Sequence, residues 1–164
     1  MRHTRILTIA ALAAATLAAC GNDTRPGVLV GDAYIVTESG QEVNLAGMPV
    51  ALVPEAEELD SLLAATCPRA AGAAQPPDSA AQKQAWQRRA QLLSGRATKR
   101  AATDAAAHFR LDSVAPGEYR VWADTTYGGA RWSWLHAVTI EAGDTAKVAL
   151  SNANPDDNPF RCRD

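Results

Sequence analysis

The sequence predicts a mainly β protein, an antiparallel β-sandwich carrying an inserted αα-hairpin. Three observations predict it. Short runs alternating apolar and polar residues occupy both ends of the chain beyond its first twenty residues. Pairs of turn-forming residues punctuate those runs at near-regular spacing, as sandwich folds require. Between the two ends, residues 54–100 change to a helical period.

Taken in order, residues 27–36 are rich in β-branched side chains and predict a strand, and Ser39-Gly40 supplies a turn. Residues 43–45 and 48–53 add two short strands. Pro54 stands at a first-turn position, with Glu55, Glu57, Glu58 and Asp60 near the positive end of a helix dipole. Leu59, Leu62, Leu63 and Thr66 then follow helical spacing to a stop near Cys67-Pro68. The four acids read as dipole partners on a solvated face; the alternative is a site for a cation or a basic partner. A linker covers residues 69–77. Ser79, with Gln82 three residues on, resembles a capping box, and Trp86, Ala90, Leu93 and Ala97 form the apolar stripe of a second helix. Lys83, Arg88, Arg89, Arg96, Lys99 and Arg100 make that helix basic, so the two helices are expected to attract along their length.

The strand pattern returns at His108. Phe109 and Leu111 alternate with polar neighbours, Ala115-Pro116-Gly117 turns, and Tyr119, Val121 and Ala123 alternate with Arg120, Trp122 and Asp124. Gly128-Gly129 turns again. Trp132, Trp134, Val138 and Ile140 share a face of residues 131–141, Ala142-Gly143-Asp144 turns, and residues 145–150 close the series.

Thr103-Asp104, Phe109, Leu111, Val114, Pro116-Gly117 and Tyr119 together resemble the signature of carboxypeptidase regulatory-like domains. The resemblance covers about residues 27–53 and 101–151 and implies a transthyretin-like sandwich. Three departures stand out. The family's turn glycine is replaced near Ala106-Ala107, which predicts a turn that needs no positive φ. The helical insertion at about 54–100 replaces a short connection. The acid that often follows the first Asp is also missing, so Asp104 lacks the oxygen cluster that calcium needs.

The first residues carry a different signal. Arg2, His3 and Arg5 precede an apolar stretch over residues 6–17, too short to span a bilayer, and Leu17-Ala18-Ala19-Cys20 resembles a lipobox. Resemblance to bacterial lipoproteins implies cleavage before Cys20, lipidation of its thiol and acylation of the new amino group. The domain plan is then a signal peptide at 1–19, a lipidated Cys20 and tether to 26, a sandwich over 27–151 and a tail at 152–164. An ordinary secretory signal cut after Ala15 or Ala19 is the alternative. Gly21 directly after Cys20, with Asp23 two places later, favours the periplasmic face of the outer membrane over inner-membrane retention.

Composition limits the partners. The 164-residue chain has net charge −2, and removal of residues 1–19 takes away Arg2 and Arg5 without any acid. Nucleic acid is therefore not an expected partner. Cys67 and Cys162 remain once Cys20 is lipidated, and an even pair in an oxidising compartment predicts a disulfide, with free thiols as the alternative. No HExxH, GxSxG or phosphate-binding glycine loop occurs, and His108 and His136 make no metal-ligand spacing. No Lys precedes Lys83, which removes the early-strand lysine an isopeptide crosslink would need. No enzyme activity and no cofactor are expected.

The functional expectation is a membrane-anchored interaction or scaffold module, an accessory subunit of an envelope complex that presents its helical insertion to a protein partner. The alternative is a glycan-binding module using Trp122, Tyr127, Arg131, Trp132 and Trp134. The competing reading of those rings puts Trp132 and Trp134 in the core and Trp122 under the helices.

Overall fold

Two four-stranded sheets face each other and enclose the main core. The computed structural model describes residues 23–68 and 79–162, so the predicted signal peptide, Cys20 and the 69–77 linker lie outside the described residues. In chain order the elements are β1 (Gly27–Val36), β2 (Glu42–Asn44), β3 (Pro49–Pro54), α1 (Leu59–Ala64), α2 (Ala80–Arg96), β4 (Lys99–Ala102), β5 (His108–Val114), β6 (Gly117–Tyr127), β7 (Ala130–Ile140) and β8 (Thr145–Ser151). One sheet runs β2-β1-β5, with β8 also paired to β1; the other runs β4-β3-β6-β7.

Alternation along each strand decides what is buried. Leu29, Ala33 and Ile35 from β1, Val50 and Leu52 from β3, and Phe109 and Leu111 from β5 point inward. Val121, Ala123, Trp134, Ile140 and Leu150 join them from the other strands. Gly31 sits where the Phe109 ring crosses β1; a Cβ there would come within 2.5 Å of Phe109 Cζ and would also strike the Val148 carbonyl oxygen. Five strand pairings are antiparallel, while β8 runs parallel to β1, from Val28 opposite Thr145 to Tyr34 opposite Ser151.

A second apolar layer covers the outer face of the β4-β3-β6-β7 sheet. Leu59 and Leu63 of α1, Leu93 of α2, Val53 and Leu135 form it, with Trp122 packed alongside. Burying a leucine fully contributes about 1.5–3 kcal/mol, so these side chains hold both helices to the sheet although α1 is under two turns long.

Several expectations about the insertion need correction. Pro54 is the last residue of β3, paired with Tyr119, because its missing N–H is harmless at a strand end. The first helix therefore starts at Leu59 rather than at Pro54, and Asp60 is the one acid in its first turn. Glu55, Glu58 and Asp60 instead meet arginines of the same chain: Glu55 pairs with Arg120, Glu58 with Arg96, and Asp60 with Arg120 and Arg161. The acidic and basic helices share only the Glu58–Arg96 pair among the described residues. Lys99 and Arg100 belong to β4, not to the second helix, since Leu52 and Ala51 of β3 pair with them. Ser79 does cap α2, accepting from the Gln82 N–H at 3.2 Å.

The turn at 104–107 also differs from its expectation. Ala107 takes φ +65°. Asp104 Oδ1 accepts the N–H groups of Ala106 and His108, both at 2.9 Å, and the Ala107 N–H donates to the Asp104 carbonyl. The Ala107 carbonyl in turn accepts from Ala33 N–H at 3.0 Å. Four hydrogen bonds thus hold an alanine in the left-handed region that glycine would occupy without cost.

Candidate binding site

The centre of α2 is fixed by a charge. Arg89, fully buried, donates from Nε to the Pro159 carbonyl at 2.6 Å and from Nη1 to Asp124 Oδ1 at 3.1 Å. Its Nη2 stands 3.7 Å from Asp156 Oδ2, at ion-pair distance. Asp156 is also paired with Arg161 at 3.2 Å. Burial pushes the Arg89 guanidinium below its ordinary pKa, and the carboxylates of Asp124 and Asp156 work against that shift. Nearby, the hydrogen bond to Glu55 raises the pKa of Arg120.

The tail is held at the same place. Cys67, just past α1, is disulfide-bonded to Cys162 across 95 residues of sequence. Phe160 is buried and meets the Trp86 ring edge-on, with centroids 4.8 Å apart. Helix, sheet and tail therefore meet around Trp86 and Arg89.

Beside this junction the N-terminal half of α2 and the tip of the β6–β7 hairpin enclose a cleft of about 640 Å³, lined by Gln82, Lys83, Trp86, Thr126, Arg131 and the Gly129-Ala130 turn. Helical spacing brings Gln82, Lys83 and Trp86 to one side, because residues three and four apart share a helix face. The hairpin can close tightly because Gly128 and Gly129 take φ of +61° and +78° between the paired residues Tyr127 and Ala130. Arg131 lies over the Trp86 ring, its guanidinium carbon 4.1 Å from the centroid, and stands 3.8 Å from Asp124. Among the described residues, no carboxylate lines the cleft.

The five residues nominated from sequence divide between two faces. Trp134 is fully buried and donates to the Ser151 carbonyl at 2.9 Å. Trp132 and Tyr127 pack against the same main core, and Trp132 donates to the Tyr127 carbonyl at 3.4 Å. Trp122 and Arg131 lie on the opposite, helix-bearing face, where Trp122 packs beneath the helices. The structure thus forms no shared platform of the three tryptophans, and Arg131 alone of the five lines the cleft. Trp86, Lys83 and Gln82, read from sequence as helix stripe, helix charge and cap partner, are the residues that join it. Their spacing of three and four was the available signal; what it lacked was the partner hairpin.

Asp32 and His108 face each other on the outer surface of the β1–β5 pair, beside Arg110 and Lys147. No group of three or more His, Cys, Asp or Glu that could hold a metal occurs among the described residues. Among the same residues, no helix is long and apolar enough to cross a membrane.

No protein-family model matches the chain, and comparison with curated proteins finds no match. Several solved structures overlap it. A candidate carbohydrate-binding protein from Pseudomonas aeruginosa is 20% identical with a TM-score of 0.48, covering 82% of this chain and 93% of that one. The minor pilin GBS52 of Streptococcus agalactiae is 20% identical with a TM-score of 0.46, over 78% of this chain and 44% of the pilin. The RrgB pilus backbone of Streptococcus pneumoniae is 12% identical with a TM-score of 0.36, over 76% and 41%. These are β-rich neighbours; the sandwich described above rests on this chain's own strand pairing.

Proposed function

We propose that the protein is a non-enzymatic binding module of the cell envelope, anchored through lipid on Cys20 and engaging an envelope component with the helix-bearing face of its sandwich. The observation that carries this reading is the locking of α2: Arg89 and the second apolar layer fix the helix rigidly on the sheet, while Lys83, Gln84, Gln87 and Gln91 on its other side stay exposed. A rigid element with an exposed polar face suits recognition, since less ordering has to be paid on binding. The lipobox supports the anchor, and Gly21 supports the outer membrane, inner leaflet. The spacing of Phe109, Pro116-Gly117 and Tyr119 supports a carboxypeptidase regulatory-like, transthyretin-like sandwich as the scaffold.

Two measurements test it. A Cys20→Ser variant is expected to lose incorporation of labelled palmitate and to leave the membrane fraction. Crosslinking and capture from detergent-solubilised envelopes, with the intact chain against a Lys83→Glu/Gln87→Glu/Gln91→Glu variant, is expected to lose the captured component. Capture unchanged by that variant would remove α2 as the working face. Deleting residues 55–100 is a poorer test, because it also removes the first half of β4 and uncovers Val53 and Leu135.

A further inference from the structure

We propose that the cleft between α2 and the β6–β7 hairpin binds a carboxylate-bearing saccharide, with Arg131 as the fork that takes the carboxylate and Lys83 as a second cation. The inference rests on the binding-module reading and names the ligand class for the same face.

The argument begins with what Arg131 does not do. Arg131 lies over the Trp86 ring, its guanidinium carbon 4.1 Å from the centroid, yet it donates no hydrogen bond among the described residues. Asp124, its ionic neighbour at 3.8 Å, is committed to Arg89 at 3.1 Å. An arginine has five N–H donors in a rigid fork that matches a carboxylate, and here the contact with the Trp86 ring holds that fork at the cleft. The Arg131 side chain is 45% exposed, so a ligand can reach it.

The surrounding groups narrow the ligand. Among the described residues, Lys83, exposed in the same cleft, has no ion-pair partner and no acid lines the space. The cleft therefore favours an anion. Gln82 and Thr126 add amide and hydroxyl groups that can meet sugar hydroxyls. A volume of about 640 Å³ lies within the range of small-molecule sites. Trp86 itself does not present an open stacking face, since Arg131 covers one side of its ring and Phe160 meets it edge-on. Recognition is thus centred on the carboxylate.

The test is calorimetric titration of the mature chain in detergent micelles with oligogalacturonate, its methyl ester, and tetraglutamate. Oligogalacturonate is expected to bind, with affinity falling as salt rises; the ester and the peptide are expected to bind at least about tenfold more weakly. Arg131→Gln should abolish the difference between acid and ester. Arg131→Lys, which keeps charge but loses the fork, should weaken binding by about tenfold. Lys147→Gln, on the opposite sheet, serves as the control and should bind as the parent. Equal binding of acid and ester, indifference to Arg131→Gln in a variant with the parent's far-UV spectrum and urea midpoint, stronger binding of tetraglutamate, or no binding would each overturn the proposal. Failure here with envelope capture still dependent on α2 leaves the module reading standing; saccharide binding with capture indifferent to α2 separates the two in the other direction.

Discussion

Arg89 of α2 donates to the main-chain carbonyl of Pro159, seventy residues away, at 2.6 Å. The bond makes the middle of a helix the anchor of the C-terminal tail, and it does so with a fully buried cation.

That cation is expensive to leave unpaired and modest in net value when paired. Burial is the leading cause of its lowered pKa, so the charged form is disfavoured at the site despite Asp124 and Asp156. Arg89→Ala is expected to destabilise the fold by about 3 kcal/mol, because it leaves Asp124 with only Arg131 at 3.8 Å, Asp156 with only Arg161, and the Pro159 carbonyl without its donor. Arg89→Met combined with Asp124→Leu is expected to recover much of that loss. Urea unfolding of the two variants measures the difference.

The disulfide closes the junction from the other side. Loss of a crosslink spanning 95 residues costs up to about 4.7 kcal/mol by the chain-entropy estimate. Cys162→Ser is expected to loosen the tail and the helices before the sandwich. Hydrogen exchange would then rise in α1, α2 and residues around Phe160 while β1, β6 and β7 stay protected; equal loss everywhere would refute the order.

Ala107 holds a left-handed conformation at φ +65°. Ala107→Gly is expected to stabilise the protein by roughly 1 kcal/mol, seen as a higher thermal midpoint, since strain relief outweighs the added chain entropy.

Gly31 makes the opposite case. Gly31→Ala drives a methyl into the Phe109 ring and the Val148 carbonyl, and an expected loss of about 1–3 kcal/mol should appear as a lower urea midpoint.

The Arg120–Glu55 pair gives a pH expectation. Hydrogen bonding to Glu55 raises the Arg120 pKa above its ordinary value. A raised basic group contributes stability that is complete below its unfolded value and is lost only as pH rises through the folded one. The stability difference between the parent and Arg120→Met should therefore be constant from neutral to mildly alkaline pH. A decline over that interval would assign the loss to another group.

The strands were legible because alternation reports directly on a sheet with one buried face, and turns such as Gly128-Gly129 carry local chemistry. Arg89 was not. Its place among the basic residues of the second helix suggested attraction to the acidic helix, and the groups that bury it, Asp124, Asp156 and Pro159, are 35 or more residues away in sequence. Pro54 misled for a similar reason, since a helix start and a strand end tolerate the same missing donor. The parallel placement of β8 depends on which edge of β1 stays open, a tertiary property without a local sign. Trp86 showed its helical stripe and concealed its neighbour Arg131, which arrives from a hairpin.

The direction of β6 sets where the cleft is displayed. The chain enters the sandwich at Gly27, close to Ile140 and the 141–144 turn, whereas the cleft adjoins the far end of β6 and β7. The 11 residues of β6, at about 3.3 Å each, make the strand itself a spacer of roughly 30 Å. A lipid anchor at Cys20, as proposed, would attach the domain through the pole opposite the one that carries Arg131.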